Sequence, residues 1–205
     1  MSMNIIMVLL FLIWAYIVWT CGRAQLKYQK FLIGSVGLFI FLMFWLEPIA
    51  SAPLERVVAL VAGIIGEMTG TFESYYQYAM LFISNGADPM SIYVSFECSG
   101  IIESFAFVSL LLFFEIYDLY ERVVLSVVGV LTIFVSNVIR IVVISWMIYF
   151  GGNDIYYFAH SIVGRFVFYA LSIALYFCVF TKPHIIRQRV GRFSYSKKTD
   201  VNSSL

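Results

Sequence analysis

The chain has 205 residues, of which 62% are hydrophobic and only 12% charged, and its mean hydropathy is +0.92. Soluble domains average about 45–50% apolar and about 25% charged residues, so this composition belongs in a bilayer and excludes a soluble enzyme. A formal net charge of +1 excludes a nucleic-acid-binding module, and three cysteines are too few for a disulfide-stapled secreted scaffold.

A span needs about 20 apolar residues to cross about 30 Å of hydrocarbon. Five runs approach that need, near 3–20, 31–46, 97–114, 123–150 and 161–180. They predict an all-α fold, a polytopic transmembrane helix bundle of about five to seven spans forming one integral membrane domain. Nothing basic precedes the first run and no small-x-small site follows it, so it is expected to stay as an anchor. Arg23, Lys27 and Lys30 follow it, and basic residues in short loops mark the cytoplasmic side. From Glu47 to Glu97 the chain has one arginine, Arg56, against Glu47, Glu55, Glu67, Glu73, Asp88 and Glu97, which places this segment outside.

Within that outer segment (47–96), Pro53 suits a first helical turn, and Leu54–Gly66 is expected as a helix too short to span, interfacial or re-entrant. A two-span hairpin through Leu54–Ile83 is the competing topology. Thr71–Ser84 has an amphipathic aromatic composition suited to the headgroup layer, and Asn85 to Pro89 supplies turn residues. The Gly66-x-x-x-Gly70 spacing suits close helix packing. The fourth run, ~42 Å as a straight helix, must tilt, kink or protrude. Lys182, Arg187, Arg189, Arg192, Lys197 and Lys198 make 181–205 a basic cytoplasmic tail. The N-terminus is then outside and the C-terminus inside.

Polar groups inside spans are costly, which makes them the first candidates for function. Cys98, flanked by Glu97, Ser99 and Gly100, opens the third span at the outer surface. Arg140 lies ~15 Å below the outer end of the fourth, and His160 sits at the outer mouth of the fifth. A protruding or tilted fourth helix would bring a nucleophile, a base and a fixed cation to one outward-facing cleft. Cys21 and Cys178 lie near the other face, out of disulfide reach, so Cys98 is a lone exoplasmic thiol. A central arginine costs ~2.5–3.5 kcal/mol to insert and needs a polar partner. Ser136 and Asn137 stand one turn before Arg140, and Ser126, Gly129 and Thr132 continue the strip. The structural alternative is an ion pair with Glu103, ~7.5 Å deeper than Cys98.

Imidazole is the usual acceptor of a cysteine proton, which suits His160, and Arg165 would be a second cation near the cleft. His184 falls in the basic tail, on the opposite side. One cysteine and one outer histidine do not make a zinc site and no H-E-x-x-H is present, so neither metal nor cofactor is expected. A serine triad lacks its G-x-S-x-G elbow. The residues alone leave open a cysteine enzyme, a small transporter or channel component using Arg140, Glu103 and His160 as an ion path, and a non-catalytic scaffold.

Glu97-Cys98-Ser99-Gly100-Ile101 at the head of a helix, Asn137-Val138-Ile139-Arg140 in the next span and His160-x-x-x-Gly164 in the one after resemble the exosortase/archaeosortase family. The chain resembles the compact Gram-positive exosortase-like members, and the resemblance runs from about Phe96 to Phe180. It implies a membrane-embedded cysteine transpeptidase with Cys98 as nucleophile, Arg140 as essential arginine and His160 as third member, a position where some members carry arginine, so that Arg165 keeps a claim. Glu97, Ser99, Gly100, Glu103 and Asn137 would support the site. The implied partners are membrane-anchored substrate proteins whose C-terminal sorting signal is a short motif, a transmembrane helix and a basic tail. No partner beyond these and the lipid bilayer is implied.

Overall fold

A computed structural model describes residues 2–84 and 89–182, so most of the basic tail, with His184, and the turn at 85–88 lie outside the described residues. The helices are α1 (Ser2–Arg23), α2 (Lys27–Trp45), α3 (Glu47–Thr69), α4 (Ile101–Phe113), α5 (Leu119–Gly151) and α6 (Asn153–Thr181). All but α4 are long and apolar enough to cross a membrane, and the fold is an all-α polytopic bundle. Between α3 and α4 stand three short strands, β1 (Glu73–Tyr75), β2 (Met80–Ile83) and β3 (Met90–Tyr93).

The loop assigned by charge to the cytoplasm, between α1 and α2, meets the α4–α5 loop at one end of the bundle. Lys30 Nζ donates to a Glu115 carboxylate oxygen at 2.9 Å, tying the α1–α2 turn to the α4–α5 loop. At that end α5 begins with a capping box, in which Asp118 caps the Glu121 backbone N–H and Glu121 accepts from the Asp118 N–H. Its 33 residues make ~50 Å of helix, about 20 Å more than a bilayer core holds. A helix of this length must tilt, kink or protrude, as was expected of the fourth run, and both α3 and β2 pack against it.

The outer segment differs from its expected form. Leu54–Gly66 is not a short separate helix but part of the 23-residue α3. Leu46 keeps a helical conformation and accepts from Ala50 N at 2.9 Å, so α2 runs into α3 with a single break at Leu46. Pro48, rather than Pro53, takes the helix start, and Pro53 lies inside. Leu54 and Val57 share an apolar groove with Ile101, Phe105, Leu131 and Phe134. Val58, Ala59 and Ala62 then enter the core with Val138, Ile141, Ile144 and Ile148. These neighbours show α3 continuing away from the Lys30–Glu115 end along the second half of α5.

Thr71–Ser84 is strand and turn rather than a surface helix. β1, β2 and β3 form an antiparallel sheet in that order, with Tyr75, Met80 and Tyr93 in one cross-strand row. Leu81, Ile83 and Ile92 turn into the core while Met80, Phe82 and Tyr93 face out, the period-2 alternation of a half-buried sheet. Gly63 and Gly66 make room for it: a Cβ on Gly63 would stand 2.1 Å from that of Ser74, whose hydroxyl donates to Ala59 O at 2.8 Å. The Gly66–Gly70 spacing therefore serves no helix pair, since Gly70 only caps α3.

Candidate active site

Cys98 reaches its position through a tight turn. β3 leads through Ser95 into a 3-10 turn, Phe96–Cys98, in which Cys98 N donates to Ser95 O at 2.8 Å and Ser99 N to Phe96 O at 3.2 Å. Gly100 follows with φ +78°, a left-handed conformation that costs a residue with a Cβ. It lets the chain swing from the turn into α4, and the Ser104 hydroxyl closes the junction by donating to Gly100 O at 2.8 Å. The thiol is 2% exposed.

Asn137 and Arg140, one turn apart on α5, approach this turn from the side. Asn137 Nδ2 donates to the carbonyl of Cys98. Arg140 Nη2 donates to Cys98 Sγ at 3.5 Å, and the guanidinium lies 5.8 Å from the centre of the Phe168 ring. Arg140 Nε and Asn137 Oδ1 are buried and, among the described residues, unpaired. His160 Nε2 completes the group at 3.5 Å from the same sulfur. Its ring stacks on Tyr156 at 5.6 Å and 22°. His160 belongs to a π-helical stretch, Ala159–Val163, a local widening that often marks functional sites. Gly164 brings α6 against α5 here, since a Cβ would stand 2.6 Å from Ile144 Cδ1.

The structure therefore brings together Cys98, Asn137, Arg140 and His160, with Ser99 and Gly100 shaping the turn. No hydrogen bond among the described residues joins Glu97 or Arg165 to this group and both are exposed, yet both lie close enough to act on His160 by charge. Nor does Glu103 pair with Arg140, as neither ion pair among the described residues involves them. Glu103 stands one position off the buried stripe of Ile101, Ser104, Phe107 and Leu111, half-buried and within electrostatic reach of Arg140. The polar partner of Arg140 is the thiol instead. Cys21, Cys98 and Cys178 are all free.

Three features escaped the reading of the sequence. Tyr156 and Phe168 flank the site at positions −4 and +8 from His160, a helical spacing with Gly164 at +4 that was there to be read. Glu55, buried on α3, accepts from the Tyr93 hydroxyl at 3.1 Å and so ties α3 to the strand that leads to the Cys98 turn; nothing local in the sequence links them. That hydrogen bond, with the carboxylate's charge, holds the Tyr93 phenol above its ordinary pKa of 10.0.

A family model described as transmembrane exosortase matches residues 1–178. The match takes in the first 95 residues, which the motifs left out. Comparisons with curated proteins and with solved structures return no match. Matching most of its length, the model shows that this chain belongs to the transmembrane exosortase family.

Proposed function

We propose that the chain is a cysteine transpeptidase that cleaves a C-terminal sorting signal of exported membrane-anchored proteins. Family membership supports a membrane sorting role in general. The observation that carries the finer reading is a single sulfur with an arginine nitrogen and an imidazole nitrogen both at 3.5 Å. The thiolate is the nucleophilic form of cysteine, and a cation at hydrogen-bond range favours it. His160 takes the Cys98 thiol proton and Sγ attacks a peptide carbonyl of the signal; the new C–S bond pushes negative charge onto the carbonyl oxygen. Arg140, which spends Nη2 on the sulfur, still has its buried Nε–H to offer that oxyanion. As the C–N bond breaks, His160 protonates the departing amine, leaving a thioester. His160 then takes a proton from the acceptor nucleophile, which displaces the sulfur. Asn137 holds the Cys98 carbonyl and so the turn.

The active site faces the outside of the cell in this reading, because the basic residues gather at the Lys30–Glu115 end. The apolar groove of about 660 Å³ between α2–α3 and α4–α5 borders Ser99 and Ile101, and gives the substrate's apolar helix a place beside the thiol. Proximity then supplies much of the rate. The ion-path alternative has less support, since the hydrogen-bond partner of Arg140 is the Cys98 thiol and not Glu103.

The test is co-expression with membrane proteins that end in a helix and a basic tail. A substrate shortened by the wild type should accumulate at full length with an equally abundant Cys98→Ala or Cys98→Ser variant. Processing that survives Cys98→Ala would place the nucleophile elsewhere.

A further inference from the structure

The strand that leads into Cys98 has a free edge. In the sheet order β1-β2-β3, β3 is the outer strand on the side away from β1, and β2 is the element it packs against. The register pairs Met90 with Ile83 and Ile92 with Leu81, and Val94 N donates to Ala79 O at 2.8 Å. In an antiparallel ladder alternate residues direct their backbone groups to the same neighbour. Residues 90, 92 and 94 therefore bond to β2, and Ser91 and Tyr93 point their N–H and C=O groups the other way. No hydrogen bond among the described residues reaches those four groups. Both residues are exposed. An unpaired row of this kind is a template for an extended chain.

Only four residues separate Tyr93 from Cys98, which lends this edge its direction. A substrate segment that lies along β3 and ends with its scissile carbonyl at Sγ must run the same way as β3. We propose that the free edge of β3 receives the residues preceding the scissile bond as a fourth, parallel strand, main chain to main chain. The inference rests on Cys98 being the nucleophile. Alternate side chains of the added strand would lie beside Tyr93 on the exposed face, where Tyr75 and Met80 continue the row. The Glu55–Tyr93 hydrogen bond holds the same strand to α3, so the edge and the thiol turn keep a fixed relation.

Proline separates this idea from a general loss of structure. Ser91→Pro removes an outward N–H and blocks the edge, but leaves the β2 ladder intact, because proline is tolerated where a strand N–H faces away from the sheet. The probe is a degenerate hexapeptidyl chloromethyl ketone library, whose chloride the Cys98 thiolate displaces, compared with the same library N-methylated along its backbone. Iodoacetamide is the small control reagent. In the wild type the unmethylated library should alkylate Cys98 at least about tenfold faster than the N-methylated one. Ser91→Pro should abolish that difference with the iodoacetamide rate unchanged. Equal rates for the two libraries in the wild type would overturn the edge and leave the nucleophile standing, as would a difference that survives in Ser91→Pro. A Ser91→Pro variant that changes only the oligomeric state would assign the edge to a second copy instead. Failure of every reagent to label Cys98 would overturn the nucleophile reading and this inference with it.

Discussion

The Asn137 hydrogen bond to the Cys98 carbonyl can be tested through the thiol it positions. Asn137 is 0% exposed and Cys98 2% exposed, so alanine at 137 leaves a buried carbonyl without the donor that now reaches it. Leaving such a group unsatisfied costs about 1–3 kcal/mol. A buried thiol reacts with a neutral reagent chiefly from locally opened states, whose population rises as the closed turn is destabilised. At 1.4 kcal/mol per decade, Asn137→Ala should therefore speed alkylation by iodoacetamide by about 5- to 140-fold. Asn137→Asp should exceed that, because an ionised carboxylate accepts only and would face the carbonyl oxygen. The assay is a mass-spectrometric time course in a Cys21→Ser, Cys178→Ser background, so that Cys98 alone reports. Labelling of Asn137→Ala at or below the wild-type rate would refute the argument, since the turn would then be held by something else.

Replacing Arg140 with lysine keeps the charge but not the planar fork that serves Sγ and an oxyanion together, so Arg140→Lys should lose about 10²–10³ in substrate processing; full activity would sink the oxyanion role. Gly129→Ala should lower the thermal midpoint by the equivalent of about 1–3 kcal/mol, because its Cβ would stand 2.0 Å from Cε1 of the fully buried Phe107, and Phe107→Leu in the same chain should recover part of the loss. The hydrogen bond from Lys30 holds the Glu115 carboxyl below its ordinary value of 4.5. A depressed acid stabilises the fold above 4.5 and ceases to as pH falls through its lower folded-state value. The pair is 36% and 40% exposed, so its contribution stays under about 1 kcal/mol. The midpoint difference between wild type and Lys30→Met should be present at pH 7 and shrink as the pH falls below 4.5 and Glu115 is protonated; a difference that does not change with pH would show that packing, not charge, is responsible.

The parts of the fold that hydropathy could report were legible: α1, α2, α5 and α6 each cover the run assigned to them within a few residues to about eight at each end. The outer segment was not, because its elements are defined by each other. Nothing within Thr71–Ser84 says that Gly63 and Gly66 have cleared a surface for a strand. Nothing near Pro53 says that the helix has already started at Pro48 and is propped by α5. The site was legible where chemistry is scarce in an apolar background, which is how Cys98, Arg140, Asn137 and His160 stood out. Depth did not say how each charge would engage: Glu103 stands off the buried stripe of its helix and Arg165 is exposed, and each reaches the site by charge rather than by a hydrogen bond. Side-chain direction comes from packing and cannot be taken from depth.

The length of α5 also sets a scale. From Leu119, at the Lys30–Glu115 end, to Arg140 is 21 residues, or ~32 Å of straight helix, close to one hydrocarbon thickness. The thiol beside Arg140 thus stands at a fixed height above the basic end of the bundle. A substrate helix pinned by its own basic tail would be measured against that height as against a ruler, and the bond presented to Cys98 would depend on how many apolar residues precede the tail. Two residues added to that helix would carry the former cleavage point ~3 Å past the sulfur. Recognition would then include a count as well as a motif.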